Sequence, residues 1–210
     1  MYTPKPFDQP DLSQLRALMR AHPLATLVSA TAEGVDAEHV PLLCLDSPGP
    51  FGTLQGHVAA ASPVSTRLGG RDEVLAIFHG PNHYVSPKWY PATREHGKFV
   101  PTWNYVVVHA RGPITWHRDP AWLRAHLERA VEVHEGEHEP WRLSDAPADF
   151  IGGLLGAIVG FEIPIVTLAG TWKVGQNRSH ADRHGVVEGL RRAATPAALE
   201  MLKWMSHDDD

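Results

Sequence analysis

Apolar positions set the first element. Leu12, Leu15, Leu18 and Met19 recur at helical spacing, with Asp8 placed to cap them and Pro10 in the first turn. The helix should stop near Ala21-His22-Pro23, because the residue before a proline avoids the helical region. The period then shortens. Leu24 to Ala30 reads as a strand, Glu33-Gly34 as a turn, and Val35 to Leu45 as the antiparallel partner. Phe51 to Val58 is a third strand and Ala59 to Leu68 a short helical link. Val74 to Phe78 is a fourth strand, which Gly80-Pro81-Asn82-His83 interrupts and Tyr84-Val85-Ser86 resumes.

Residues 87 to 100 show no period and read as a long loop, a common place for function. Thr102 to Gly112 is a fifth strand, which Ile114 to His117 continues after a bend. Asp119-Pro120 opens a helix to about Val133, and a shorter helix covers Ala146 to Gly152. Gly156 to Leu168 reads as one long strand broken by Pro164. Helices follow over Ala181 to Arg192 and from Thr195-Pro196 through Met205. Sequential strands with short turns imply an antiparallel α+β fold around a small barrel, not a parallel sheet. Without repeats or a low-complexity linker, residues 1–210 read as a single domain with a C-terminal helical appendage at about 179–206.

Composition narrows the class. A hydrophobic share of 43% is that of an ordinary globular chain and argues against disorder. Net charge is −5 with no basic block, which argues against a nucleic-acid binder while leaving DNA open as a partner of a dimer. A single cysteine, Cys44, excludes an intrachain disulfide and points to the cytoplasm; inside an apolar run it reads as a small buried hydrophobe. The N-terminus lacks the apolar core of a signal peptide, and no apolar stretch is long enough to span a membrane. Asp208-Asp209-Asp210 reads as a solvated tail.

Four segments carry a resemblance: Met1-Tyr2 with Pro6-Phe7; Gly80-Pro81-Asn82-His83-Tyr84-Val85-Ser86-Pro87-Lys88-Trp89-Tyr90; Val100-Pro101-Thr102-Trp103-Asn104-Tyr105 with Val108-His109; and Trp172-Lys173-Val174-Gly175-Gln176-Asn177-Arg178 with Ala181-Asp182-Arg183 and Gly185-Val186-Val187. In this order they resemble the PaiB family, described as flavin mononucleotide (FMN)-binding negative transcriptional regulators. The resemblance implies a split β-barrel with flanking helices, a homodimer and a cofactor cleft between subunits. One segment departs from it. In Gly56-His57-Val58-Ala59-Ala60-Ala61-Ser62-Pro63, Ala60 stands where an arginine is expected and Ser62 where an asparagine is expected. Losing one charged hydrogen bond to a phosphate costs about 1.5–3 kcal/mol, roughly ten- to a hundredfold in affinity.

An FMN site needs cations for the phosphate, aromatic walls for the ring and hydrogen-bonding partners for its polar edge. Lys88, Lys173, Arg178 and Arg183 are the candidate cations. Trp89, Tyr90, Trp103 and Trp172 are the candidate walls; Ser86, Thr102, Asn104, Gln176 and Asn177 are candidates for the edge. The same tryptophans equally suit a core, the loop lysines a solvated surface, and Gln176-Asn177-Arg178 a barrel cap. His57, His83 and His109 lie on or beside strands, and His57 with His109 is the preferred pair for haem or acid–base chemistry. No catalytic residue is assigned.

His134-Glu135-Gly136-Glu137-His138 spells a zinc-hydrolase pattern. Its central glycine, the nearby Pro140 and the absence of a third ligand at a suitable spacing argue against a metal site. Three functions stay open: an FMN-binding module with a regulatory output, a flavin-dependent oxidoreductase, and a cofactor-free barrel acting through protein partners.

Overall fold

Asp11, not Asp8, caps the first helix in the computed structural model, which describes residues 1–136 and 138–205. Asp11 Oδ1 accepts the Ser13 N–H at 2.7 Å, and the Leu15 N–H returns to the Asp11 carbonyl at 3.0 Å. The helix, α1, runs Leu12–Ala21 and buries Leu15, Leu18 and Met19. Asp8 instead belongs to a two-residue strand, β1 (Asp8–Gln9), opposite Thr171. Glu137, Ser206 and the Asp208-Asp209-Asp210 tail lie outside the described residues.

Nine further strands follow among the described residues: β2 (Leu24–Thr31), β3 (Gly34–Pro41), β4 (Leu43–Leu45), β5 (Thr53–Ala59), β6 (Glu73–Val85), β7 (Thr102–Pro113), β8 (Thr115–His117), β9 (Ile158–Pro164) and β10 (Thr167–Lys173). The remaining helices are α2 (Val64–Arg67), α3 (Thr93–His96), α4 (Pro120–Glu135), α5 (Ala148–Leu155), α6 (His180–Ala193) and α7 (Pro196–Met205).

Three boundaries differ from the sequence reading, each for a local reason. The strand expected over 35–45 divides at Leu42, whose N–H bonds the Pro23 carbonyl, so β3 and β4 join different sheets. The strand expected over 156–168 divides at Ile165 and Val166, whose N–H groups bond to Gly52 and Arg111 respectively. Gly80-Pro81 does not interrupt β6. A Cβ at Gly80 would fall 2.7 Å from Leu18 and 3.1 Å from the Val106 carbonyl, so only glycine fits where α1 and β7 approach. Residues 87–100 hold a 3-10 turn and α3. Cys44 is half-buried on β4, less enclosed than its apolar run suggests.

The chain forms two units, with β6, β7 and β10 each contributing a segment to both. The first comprises Met1–Ala21, His79–Val108 and the chain from Ala169 onward. Its strands follow the order β1-β10-β7-β6, with α1, α6 and α7. The second comprises His22–Phe78 and His109–Leu168. It holds the order β6-β2-β3, the four-stranded sheet β4-β5-β9-β8, and α2, α4 and α5. The pairs β2–β3, β2–β6, β4–β5, β5–β9 and β8–β9 are antiparallel.

Candidate functional site

In the first unit the connection after β6 is folded by its own side chains. Ser86 Oγ accepts the Lys88 N–H at 3.3 Å and starts the turn Pro87–Trp89, and Thr93 Oγ1 donates to the Pro87 carbonyl at 2.6 Å. Gly97, at φ +65, ends α3 and returns the chain. These turns stack the rings of Tyr90 and Phe99, with centroids 4.4 Å apart and planes 15° from parallel. Tyr90 is 3% exposed, and burial raises its phenol pKa.

The end of β10 brings two cations to this aromatic group. Lys173 Nζ donates to Thr102 Oγ1 at 2.7 Å and stands 5.8 Å from the centre of the Tyr105 ring. Gln176 closes the next turn: its Nε2 donates to the Trp172 carbonyl and its Oε1 accepts the Val174 N–H. Gly175, at φ +89, permits that turn. The Arg178 guanidinium then lies 5.0 Å from the Phe99 ring and 5.7 Å from the Tyr90 ring. Burial lowers the Lys173 pKa, and the charge of Arg178 lowers it further. Among the described residues no carboxylate forms an ion pair with either cation. Lys173, Thr102, Tyr105, Arg178, Tyr90 and Phe99 therefore make a positively charged aromatic patch.

Asp182 braces it. This carboxylate, 5% exposed, accepts the Ala92 N–H through Oδ1 (3.3 Å) and the Ser179 hydroxyl through Oδ2 (2.9 Å). Ser179 in turn caps α6 by accepting the Asp182 N–H. The start of α6 is thereby tied to the loop that carries Tyr90.

The other sequence candidates occupy distinct places. Trp89 lies against α6, and its ring stacks on His83 at 6.1 Å. Trp172 is 3% exposed and meets Trp204 of α7 edge to face. Asn104, also 3% exposed, donates from Nδ2 to Met205 Sδ at 3.8 Å. These three side chains anchor α6 and α7. Trp103 is 53% exposed and packs edge to face on Tyr84, while Lys88 and Asn177 are exposed. Phe99, Tyr105 and Asp182 carry the patch without having been candidates: a lone phenylalanine in a loop, a tyrosine in a strand and one acid in a helical first turn give no spacing signal.

His57 lies in the second unit, and the ring that its Nδ1 meets, at 3.1 Å, is His126 on α4. The Ala60 N–H bonds the Ala157 carbonyl, and Ser62 Oγ donates to Glu38. The zinc-hydrolase pattern is broken structurally: α4 ends at Glu135, Gly136 turns away at φ +75, and His138 lies beyond the helix. Among the described residues, no three or more His, Cys, Asp or Glu side chains cluster to hold an ion. No described helix is long and apolar enough to cross a membrane.

Residues 1–167 match the family described as "Putative FMN-binding domain". An uncharacterized protein of Aspergillus fumigatus is 32% identical over 93% of each chain. The "Protease synthase and sporulation protein PAI 2" of Bacillus subtilis is 28% identical over 98% of this chain and 96% of its own. The flavocytochrome Anf3 of Azotobacter vinelandii superposes with a TM-score of 0.59 at 15% identity, over 80% of this chain and 70% of its own. The fold is the antiparallel α+β split barrel that the sequence implied.

Proposed function

We propose, from the fact that this chain belongs to the FMN-binding family, that it binds FMN on the patch of the first unit and couples occupancy to a regulatory output. The observation that carries this reading is the juxtaposition of Lys173 and Arg178. Two neighbouring cations that repel one another and, among the described residues, form no ion pair with a carboxylate make a site prepared for an anion. The rings of Tyr90, Phe99 and Tyr105 beside them suit the flat body of the same ligand. Lys173 and Arg178 take the phosphate, and Thr102 fixes the Lys173 ammonium. When bound, FMN supplies electron-transfer chemistry; these side chains bind and orient it.

A homodimer and a cytoplasmic location belong to the same proposal; a net charge of −5 without a basic block gives contact with DNA no support. Ala60 favours a second reading, a cofactor-free barrel acting through protein partners, because it removes a charge from the expected motif.

FMN fluorescence titration separates the two. Saturable binding of one FMN per chain, weakened roughly ten- to a hundredfold by Lys173→Ala or Arg178→Ala, supports the site. Absence of binding up to about 100 μM leaves the cofactor-free reading.

A further inference from the structure

The face of the four-stranded sheet beneath α4 is polar where a helix–sheet contact is ordinarily apolar. Residues directly opposite one another on antiparallel strands share a face. The register sets His57 against Gly160, Gln55 against Glu162, Thr115 against Glu162 and His117 against Gly160, so these side chains lie on one side. A Cβ at Gly160 would fall 2.2 Å from Trp122 Cζ3, so α4 lies directly upon that side. Trp122 stacks on His117 at 4.1 Å and 10°, and on His126 at 5.5 Å and 16°. His126, 2% exposed, reaches His57 through Nε2.

That contact needs one N–H and one bare nitrogen. A proton added at the accepting nitrogen removes the bond. One added to the donating ring leaves a buried charge, and on His126 that charge lies close to the Arg129 guanidinium. The groups facing the two imidazoles are Gln55 from β5, His117 from β8, Glu162 from β9 and Arg129 from α4. Glu162, the acid among them, stands 3.6 Å from His117 Nε2. Gln55 Oε1, His117 Nε2, His126 Nδ1 and Arg129 Nε are buried without a hydrogen-bond partner, and the carboxylate on this face, Glu162, stands against His117 rather than against the His57–His126 pair.

We propose that the His57–His126 contact is an acid-sensitive latch holding α4 on this sheet. Burial lowers the pKa of both rings; for His126 burial, then His57 and then Arg129, bring it from 6.5 to about 4. The open state binds protons more readily, so the latch is closed above pH 6.5 and opens as pH falls from 6.5 toward 4. Leu123 of α4 packs with Leu143, Ile151 and Leu155, so opening uncovers the apolar contact between α4 and α5.

Hydrogen exchange followed by mass spectrometry at about pH 7.5 and about pH 5, normalised for the intrinsic rate, tests this. Residues 120–135 and 148–155 should lose protection about tenfold or more at the lower pH, while β2 keeps its own. His126→Leu should abolish that difference and His57→Gln should reduce it; His57 is only partly enclosed, so its variant tests the latch even where the His126 variant fails to fold. Equal loss of protection in α4 and β2 would overturn the latch in favour of global unfolding. An acid response unchanged in His57→Gln would overturn it as well.

Discussion

The indole of Trp89 fills the space that a side chain at position 189 would need: a Cβ built on Gly189 falls 2.2 Å from Trp89 Cδ2. One turn earlier, a Cβ at Gly185 would fall 2.1 Å from the Trp89 carbonyl oxygen. Glycines that weaken a helix in isolation are here what lets α6 approach the loop. Gly189→Ala should therefore destabilise the protein by about 1–3 kcal/mol in denaturant unfolding, despite the better helix propensity of alanine. Gly152→Ala in α5, where nothing lies within 4 Å, should instead gain about 0.4–1 kcal/mol. A stabilising Gly189→Ala would show that Trp89 is not held against α6.

Lys173 gives the proposed FMN site a pH signature. Its folded pKa lies below the usual 10.5 through burial and the charge of Arg178, so the free protein loses this cation at a lower pH than an ordinary lysine surface would. An anion bound there raises the pKa again. FMN affinity should thus be constant near neutrality and decline as pH rises through the lowered pKa, before 10.5 is reached. Lys173→Arg should retain affinity and lose the alkaline decline, because a guanidinium stays charged. Titrations between about pH 7 and 10 showing the same decline in both proteins would remove Lys173 from the site.

Much of the architecture was legible because alternation and helical spacing are local signals. β2, the centre of β7, α4 with its Asp119 cap, and α6 follow the pattern directly. The division at Leu42 was not legible, since Val40 to Leu45 is uniformly apolar and only the bond to Pro23 decides where one sheet ends. Nor was the continuity of β6, because Gly80-Pro81 signals a break until the approach of Leu18 is known. Of the patch, Lys173, Thr102, Arg178 and Tyr90 were candidates by residue type and order, and the fold brings them together. Phe99, Asp182 and His126 depend on contacts between segments distant in sequence, which no spacing rule reports.

Asp182 offers a test of how far the patch depends on its brace. Asp182→Ala leaves the partly buried Ala92 N–H and the Ser179 hydroxyl without the acceptor that the buried carboxylate supplies. That should cost about 1–3 kcal/mol of stability. It should also weaken FMN binding although Asp182 is a positioning residue, since Tyr90 sits on the loop that it fixes. Asp182→Asn, which keeps one carbonyl acceptor, should recover part of both losses. A stable Asp182→Ala protein with unchanged FMN affinity would separate the loop from the site.

Tyr84 and Trp103 bear on assembly. They lie on neighbouring strands, β6 and β7, 41% and 53% exposed, with ring centroids 6.4 Å apart in an edge-to-face contact. Two large aromatic side chains left together on a sheet face are characteristic of a surface that another molecule covers. If that molecule is a second copy of this chain, Trp103→Ser should shift sedimentation of the protein at micromolar concentration toward the 23.1 kDa monomer, with little change in secondary structure. FMN affinity should fall in parallel if the cofactor cleft lies between subunits. A wild-type chain that already sediments as the monomer would dismiss the homodimer, and FMN binding by that monomer would locate the site wholly within one chain.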